Sequence, residues 1–226
     1  MGNLTGVLGA FVLLGIAIAL STDRRRINWR LVGAGLLLQL LLAVLLLTPQ
    51  SPVRVLFEAL ATIVNRIISF AGEGSRFIFG RLTEAGPEAK NPWGFIFAVQ
   101  VLPVIVFFAS LMGVLYHIGL MQRVVAGVAW VLRRTLGVTG VEALSASANI
   151  FLGQTEAPLC VRPYIAGMTR SQLMAVMTGG FATIAGSVLA AYVGILGGED
   201  EPSRVRFAMH LMCASVMSAP AGLVMA

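Results

Sequence analysis

Charge is scarce in this sequence. Only 12% of its 226 residues are charged, against about a quarter in soluble domains, and lysine occurs once, at Lys90. With 58% apolar residues and a mean hydropathy of +0.88, that scarcity excludes a soluble globular domain and makes the lipid bilayer the solvent. Cysteine is nearly absent as well. Cys160 and Cys213 lie in apolar surroundings and form no C-x-x-C, which excludes a disulfide framework or thiolate metal site and leaves two small apolar fillers. No H-E-x-x-H or comparable spacing joins His117 to His210, so a membrane-embedded hydrolase using a carboxylate base would have no partner for it. The first apolar run, Gly6 to Leu20, lacks a preceding basic residue and a small-residue cleavage site, and reads as a retained span rather than a signal peptide. The basic residues, nearly all arginine, sit at segment ends rather than on one face. That is a membrane-topology pattern and not a nucleic-acid-binding surface, despite a pI near 10.3.

Crossing a hydrocarbon core of about 30 Å takes roughly 20 apolar residues. Leu4 to Leu20, Leu31 to Leu47, Trp93 to Leu120, Leu173 to Leu196 and Val205 to Ala226 meet or approach that length. Ser51 to Gly86 differs, because Arg54, Glu58, Arg66, Glu73, Arg76 and Arg81 interrupt it while Val55, Leu56, Ala59, Ile63, Ile67 and Ile68 fall along one side. The pattern predicts an amphipathic helix on the membrane surface or packed on other helices, and Met121 to Leu136 reads the same way. Arg24, Arg25, Arg26 and Arg30 place the first loop in the cytoplasm and Met1 outside; Arg123, Arg133, Arg134, Arg162 and Arg170 then fall on the cytoplasmic side. The arginine-free loop Gly197 to Ser203 falls outside. These assignments agree only if Val138 to Thr169 enters and leaves the membrane from one face.

That segment holds two short helix-like pieces, Val141 to Phe151 and Ala157 to Gly167, each too brief to cross a bilayer. Between them stand Gly153, Gln154, Thr155 and Glu156, with Pro158 following. Glycine permits a tight reversal, Thr155 can cap a helix, and proline suits a first helical turn. The expectation is a re-entrant helical hairpin whose polar tip lies at membrane depth, where irregular backbone survives only if shielded by protein or facing a watery cavity. Glu156, an ionisable group in such a place, is a functional candidate by default, and a broken helix of this kind points to a transporter's substrate site. Asn149 lies on the first arm. In the next span, Gly179, Gly180 and Gly186 either serve close packing or mark unwinding near Thr183, which would free carbonyls. Hydroxyl, amide and carbonyl oxygens without a full charge suit a small hard monovalent cation.

At these residues the sequence resembles the concentrative nucleoside transporter family. The resemblance rests on Gly153-Gln154-Thr155-Glu156-Ala157-Pro158-Leu159 with Val161-Arg162-Pro163-Tyr164, on Met177-Thr178-Gly179-Gly180 with Ile184-Ala185-Gly186-Ser187-Val188, and on Ser218-Ala219-Pro220-Ala221. It implies an all-α, polytopic helical membrane protein with a re-entrant hairpin, interfacial amphipathic helices and a broken transmembrane helix, forming the first half of an inverted-repeat transporter. On that pattern residues 1–50 hold N-terminal transmembrane helices, 51–92 an interfacial segment, 93–120 a scaffold span, 121–137 an interfacial helix, 138–170 the hairpin and 171–226 transport-domain helices. The chain stops at Ala226 within an apolar run, and a second hairpin is expected beyond it.

The resemblance further implies a homotrimeric, non-enzymatic nucleoside importer of the bacterial inner (plasma) membrane, coupled to sodium and without a nucleic-acid partner. It places Gly153, Gln154, Thr155, Glu156 and Val188 at the substrate: Gln154 and Thr155 on the nucleobase, Glu156 on the ribose hydroxyls, Val188 against the base. It places sodium on the Asn149 side chain, the Leu152 carbonyl, the Thr183 hydroxyl and the Ile184 carbonyl. Family members often carry serine where Thr183 stands, and the hydroxyl is kept. Two alternatives remain open: a proton-coupled transporter of the same fold, and a structural or interaction subunit whose intramembrane polar residues only hold helices together.

Overall fold

The computed structural model describes residues 2–48, 50–84, 96–197 and 200–226, and among these every regular element is helical. Helices α1 (Gly2–Leu20) and α2 (Trp29–Leu47) are separated by a 3-10 turn at Arg24–Arg26. The long α3 (Pro52–Phe79) runs into a second 3-10 turn, Gly80–Thr83. Next come α4 (Phe97–Gln100), α5 (Leu102–His117) and α6 (Leu120–Leu136). The short α7 (Gly140–Asn149) and α8 (Ala157–Val161) are followed by a 3-10 turn at Arg162–Gly167, and α9 (Arg170–Ala182), α10 (Gly186–Leu196) and α11 (Glu201–Met225) complete the order. The expected span start at Trp93, the boundary at residue 92, and Met1, Lys90 and Glu199 lie outside the described residues.

Among the described residues, five helical stretches are long and apolar enough to cross a membrane: Trp29–Leu47, Pro52–Thr83, Phe97–His117, Arg170–Leu196 and Glu201–Met225. The apolar part of α1, Leu8–Leu20, is shorter. Phe77 is 92% exposed, Phe181 82% and Leu20 80%, and such a display of large apolar side chains is what a lipid-facing surface requires. The segment read from the sequence as an amphipathic helix on the membrane surface or packed on other helices passes the same length and composition test over Pro52–Thr83. Its arginines are partly neutralised within the helix, Arg54 by Glu58 at 2.8 Å and Arg76 by Glu73 at 3.3 Å. The opposite face is regular: Phe57, Ala61, Asn65, Ile68, Ala71 and Ser75 are buried at steps of three or four, packed on α5 and α11.

Small residues dominate the interior. Ala61, Ala71, Ala190 and Ala208 join Ile68, Val104, Phe108, Leu189 and Val193 where α3, α5, α10 and α11 meet. Ala143, Ala146, Ala175 and Ala219 do the same with Leu132, Leu136, Val138, Ile150 and Leu223 where α6, α7, α9 and α11 meet. In lipid no hydrophobic drive holds helix to helix, so close backbone approach must supply dispersion contacts, and alanine allows it.

The helix starts are set by local chemistry. Thr139 and Glu142 form a capping box at α7, and Thr169 and Gln172 form another at α9. The Gln172 amide also donates to the Thr139 hydroxyl oxygen at 3.3 Å, so α7 and α9 begin side by side. At α11 the Ser203 hydroxyl and N–H bond the capping carboxylate of Asp200, and these bonds hold it below the usual carboxylate range.

Helix α2 meets α11 at Gly35, where a β-carbon would collide with the Val224 side chain. Gly35→Ala should therefore cost about 1–3 kcal/mol as overpacking. Gly33→Ala, two residues away in open space, is the control. Thermal unfolding in detergent should show a lowered midpoint for the first substitution and little change for the second.

Candidate functional site

The hairpin tip is held by its own backbone. After Asn149 the chain tightens: Phe151 and Leu152 N–H groups both donate to the Ala148 carbonyl, at 3.1 and 2.8 Å. The Gly153 carbonyl accepts from Glu156 and Ala157, both at 3.0 Å. A carboxylate oxygen of Glu156 folds back to accept the Gly153 N–H at 3.2 Å, closing a loop around the tip. This differs from the expected capping role of Thr155. The cap position of α8 is Glu156, which makes no side-chain cap bond, and Thr155 is exposed beside Gln154. The second arm is also less regular than expected, because α8 ends at Val161 and the chain tightens into a 3-10 turn containing Pro163, which has no N–H to continue an α-helix. Ala157 and Val161 are fully buried, so the apolar side of α8 faces inward while Gln154, Thr155 and Glu156 point away from the packed interior.

Opposite the tip the next long helix is interrupted, as the glycine-rich stretch allowed. Helix α9 ends at Ala182, Thr183 is extended (φ −115°, ψ 151°), and α10 restarts at Gly186. The two irregular segments meet directly. Gly186 N–H donates to the Phe151 carbonyl at 3.1 Å. A β-carbon on Gly153 would stand 3.3 Å from that of Ala185, and one on Gly180 would stand 3.4 Å from that of Gln154. Val188, on the first turn of α10, is 38% exposed while Leu189 and Ala190 behind it are buried.

Beneath the tip lies Asn149, fully buried, and neither its amide oxygen nor its amide nitrogen has a hydrogen-bond partner. It is pressed against Gly179, where a β-carbon would come within 2.9 Å of the amide nitrogen. The Thr183 hydroxyl donates to the carbonyl of the same Gly179 at 2.9 Å, which leaves its lone pairs available to a cation. Leu152, in the hairpin turn, is buried, and Ile184, in the extended break, packs on the first core cluster. Among the described residues no group of three or more His, Cys, Asp or Glu side chains is placed to hold a metal. The Asn149 amide and the Thr183 hydroxyl both lie against Gly179, and a buried amide without a hydrogen-bond partner beside neutral oxygens is chemistry that fits a monovalent cation.

Two supports carried no sequence signal. The Ser215 hydroxyl of α11 donates to the Ile150 carbonyl at 2.9 Å, holding the end of α7. The Gln39 amide of α2 donates to the Met217 carbonyl at 3.2 Å, within the turn of α11 that precedes Pro220. A lone serine or glutamine in an apolar run looks the same whether it faces a neighbour's carbonyl or nothing. A cleft of about 590 Å³ between the end of α2, α3 and the start of α11 is lined by Arg54, Glu58, Arg206 and His210 and includes none of the sequence-predicted site residues.

Residues 8–82 match the family described as the N-terminus of Na+-dependent nucleoside transporters, and residues 98–199 match the one described as nucleoside recognition. The chain is 42% identical over 223 residues to human sodium/nucleoside cotransporter 1, covering 99% of this chain and 31% of that protein. The chain belongs to the concentrative nucleoside transporter family. A transporter from Haemophilus influenzae is 45% identical over 226 residues, all of this chain and 51% of its own length. The solved structure of the concentrative nucleoside transporter CNTnw, in an inward-facing substrate-bound state, superposes with a TM-score of 0.88 at 44% identity, covering 99% of this chain and 51% of that one. The chain thus spans about half the length of these two proteins, and with its apolar helices it is part of a multi-pass membrane protein.

Ser215→Ala should leave the Ile150 carbonyl buried without its donor, at about 1–3 kcal/mol. Ser218→Ala removes a hydroxyl bonded only within its own helix and should cost less. The two thermal midpoints, compared in detergent, check this.

Proposed function

We propose that the full-length protein imports nucleosides using the sodium gradient. The observation that carries this reading is the polar tip, Gly153 to Glu156, seated against the break at Thr183 with an orphaned amide, Asn149, directly beneath. Gln154 and Thr155 offer donor and acceptor groups to a nucleobase edge, the Glu156 carboxylate can accept from both hydroxyls of a ribose diol, and Val188 provides an apolar wall for the base. Gly153, without a side chain, keeps the tip tight against Ala185.

Sodium would be held by the Asn149 amide oxygen, the Leu152 carbonyl, the Thr183 hydroxyl and the Ile184 carbonyl. When bound it supplies a fixed positive charge that binds together the hairpin and the interrupted helix. These two segments also form the nucleoside wall, so the affinities are coupled: whatever factor sodium adds to nucleoside binding, nucleoside adds to sodium binding. The reading is supported by family membership and by the human relative, which is named a sodium/nucleoside cotransporter. It includes a re-entrant hairpin, α3 and α6 along the membrane surfaces, a trimer in the inner (plasma) membrane with Met1 outside, and alternating exposure of the tip to the two sides.

Uridine uptake by vesicles carrying the full-length protein should follow an imposed sodium gradient and fall to background when choline replaces sodium. Uptake that persists in choline and follows a proton gradient would assign the coupling to protons instead. Glu156→Gln should weaken equilibrium binding of radiolabelled uridine about 10- to 100-fold, the loss expected when charge-assisted bonds become neutral ones. Unaltered affinity would favour a purely structural role for this residue.

A further inference from the structure

Helix α7 carries a second orphan. Ser145 is 1% exposed, and its hydroxyl has no hydrogen-bond partner, like both polar atoms of Asn149. The two residues are four apart on one helix, so they share a face, with Ser145 about 6 Å nearer the start of α7. Neighbouring hydroxyls are treated differently. Ser147, on the same helix and equally buried, donates to the Ala143 carbonyl at 2.6 Å, and Ser215 donates to the Ile150 carbonyl at 2.9 Å. A serine in a helix can always turn its hydroxyl to the carbonyl four residues back, as Ser147 does; Ser145 does not. An unpartnered buried polar group is costly, and two stacked on one face call for a polar guest that contacts both.

Helices α7 and α9 start together at the Thr139–Gln172 bond, and Asn149 is level with Gly179. One turn below Gly179 stands Ala175, buried in the same cluster as Ala143 and Ala146 of α7. The stripe from Asn149 to Ser145 therefore runs along a seam of small residues. It offers an amide and a hydroxyl oxygen, and no ionised side chain lies on α7 between Glu142 and the tip. Neutral oxygens in a confined seam select a monovalent cation over a divalent one.

We propose that Ser145 is a second oxygen ligand position for the coupling cation, one helical turn from Asn149 toward the start of α7. The ion then passes along this face as it reaches or leaves the nucleoside site. The proposal rests on the cation reading of Asn149 and Thr183.

The test titrates sodium against choline at constant ionic strength on the purified full-length protein, without nucleoside, and reads the thermal unfolding midpoint. Ser145→Ala should raise the sodium concentration for half-maximal protection about fivefold, the weight of one lost oxygen contact. Ser145→Thr should restore it, Ser145→Cys should shift it in the same direction as alanine, and Ser147→Ala should leave it in place. If Ser145→Ala titrates as the wild type while Asn149→Ala is displaced, the inference fails and the Asn149 reading stands. If Ser145 and Ser147 variants shift alike, or if Ser145→Ala lowers the midpoint equally in sodium and choline, the guest is structural or a water molecule and the inference is overturned. If Asn149→Ala also titrates as the wild type, the cation reading falls and takes this one with it.

Discussion

The bond from the Gly186 N–H to the Phe151 carbonyl is the constraint on which this arrangement depends. Two stretches of the chain leave helical geometry inside an otherwise apolar assembly, and each exposes backbone groups that hydrocarbon cannot satisfy. Placed side by side, they satisfy one another. The Ser215 hydroxyl takes the Ile150 carbonyl, the Glu156 carboxylate takes the Gly153 N–H, and the Thr183 hydroxyl takes the Gly179 carbonyl. What is left over after this pairing is polar, local and buried: the amide of Asn149 and the hydroxyl of Ser145. These buried polar groups are thus the remainder of a backbone problem that is otherwise solved.

Packing reinforces the same junction. Gly179 touches three elements at once: the Asn149 amide presses on it from α7, the Gly222 backbone approaches it from α11, and its own carbonyl receives Thr183. The neighbouring Gly180 faces Gln154 at the tip. A β-carbon at Gly179 would crowd the Asn149 amide, and one at Gly180 would already be in van der Waals contact with Gln154. The alanine-rich clusters on either side follow the same logic, since dispersion between closely approaching helices replaces the hydrophobic drive that lipid removes.

Much of this could be read from the residues. Glycine, a polar triplet and proline between two short apolar pieces announce a hairpin, and Gly179-Gly180 with Gly186 announce an interruption at Thr183, because each choice reflects a local backbone need. The lipid solvent follows from composition. Other features depend on which of several available partners a group takes, and the letters alone do not decide it. Glu156 turning back to Gly153 competes with a helix-capping role for Thr155 that looks equally good on paper, and Pro163 converts an expected α-helical arm into a 3-10 turn. Ser145 and Ser147 are indistinguishable as letters, yet one is satisfied and the other is not. For α3, charge interrupts a long apolar run without deciding how the helix lies, since its arginines are partly paired within the helix itself.

The hydroxyl of Thr139 serves two masters. It closes the cap of α7 through Glu142 and receives the amide of Gln172 from the foot of α9. Two helices thereby share one anchoring oxygen at their starts. Just before Thr139, α6 is bracketed by left-handed glycines, Gly119 (φ 82°) and Gly137 (φ 68°), backbone joints that tolerate no ordinary side chain. The starts of α7 and α9 are thus tied through one hydroxyl, and α6, which leads into them, is entered and left through conformations that only glycine adopts without strain.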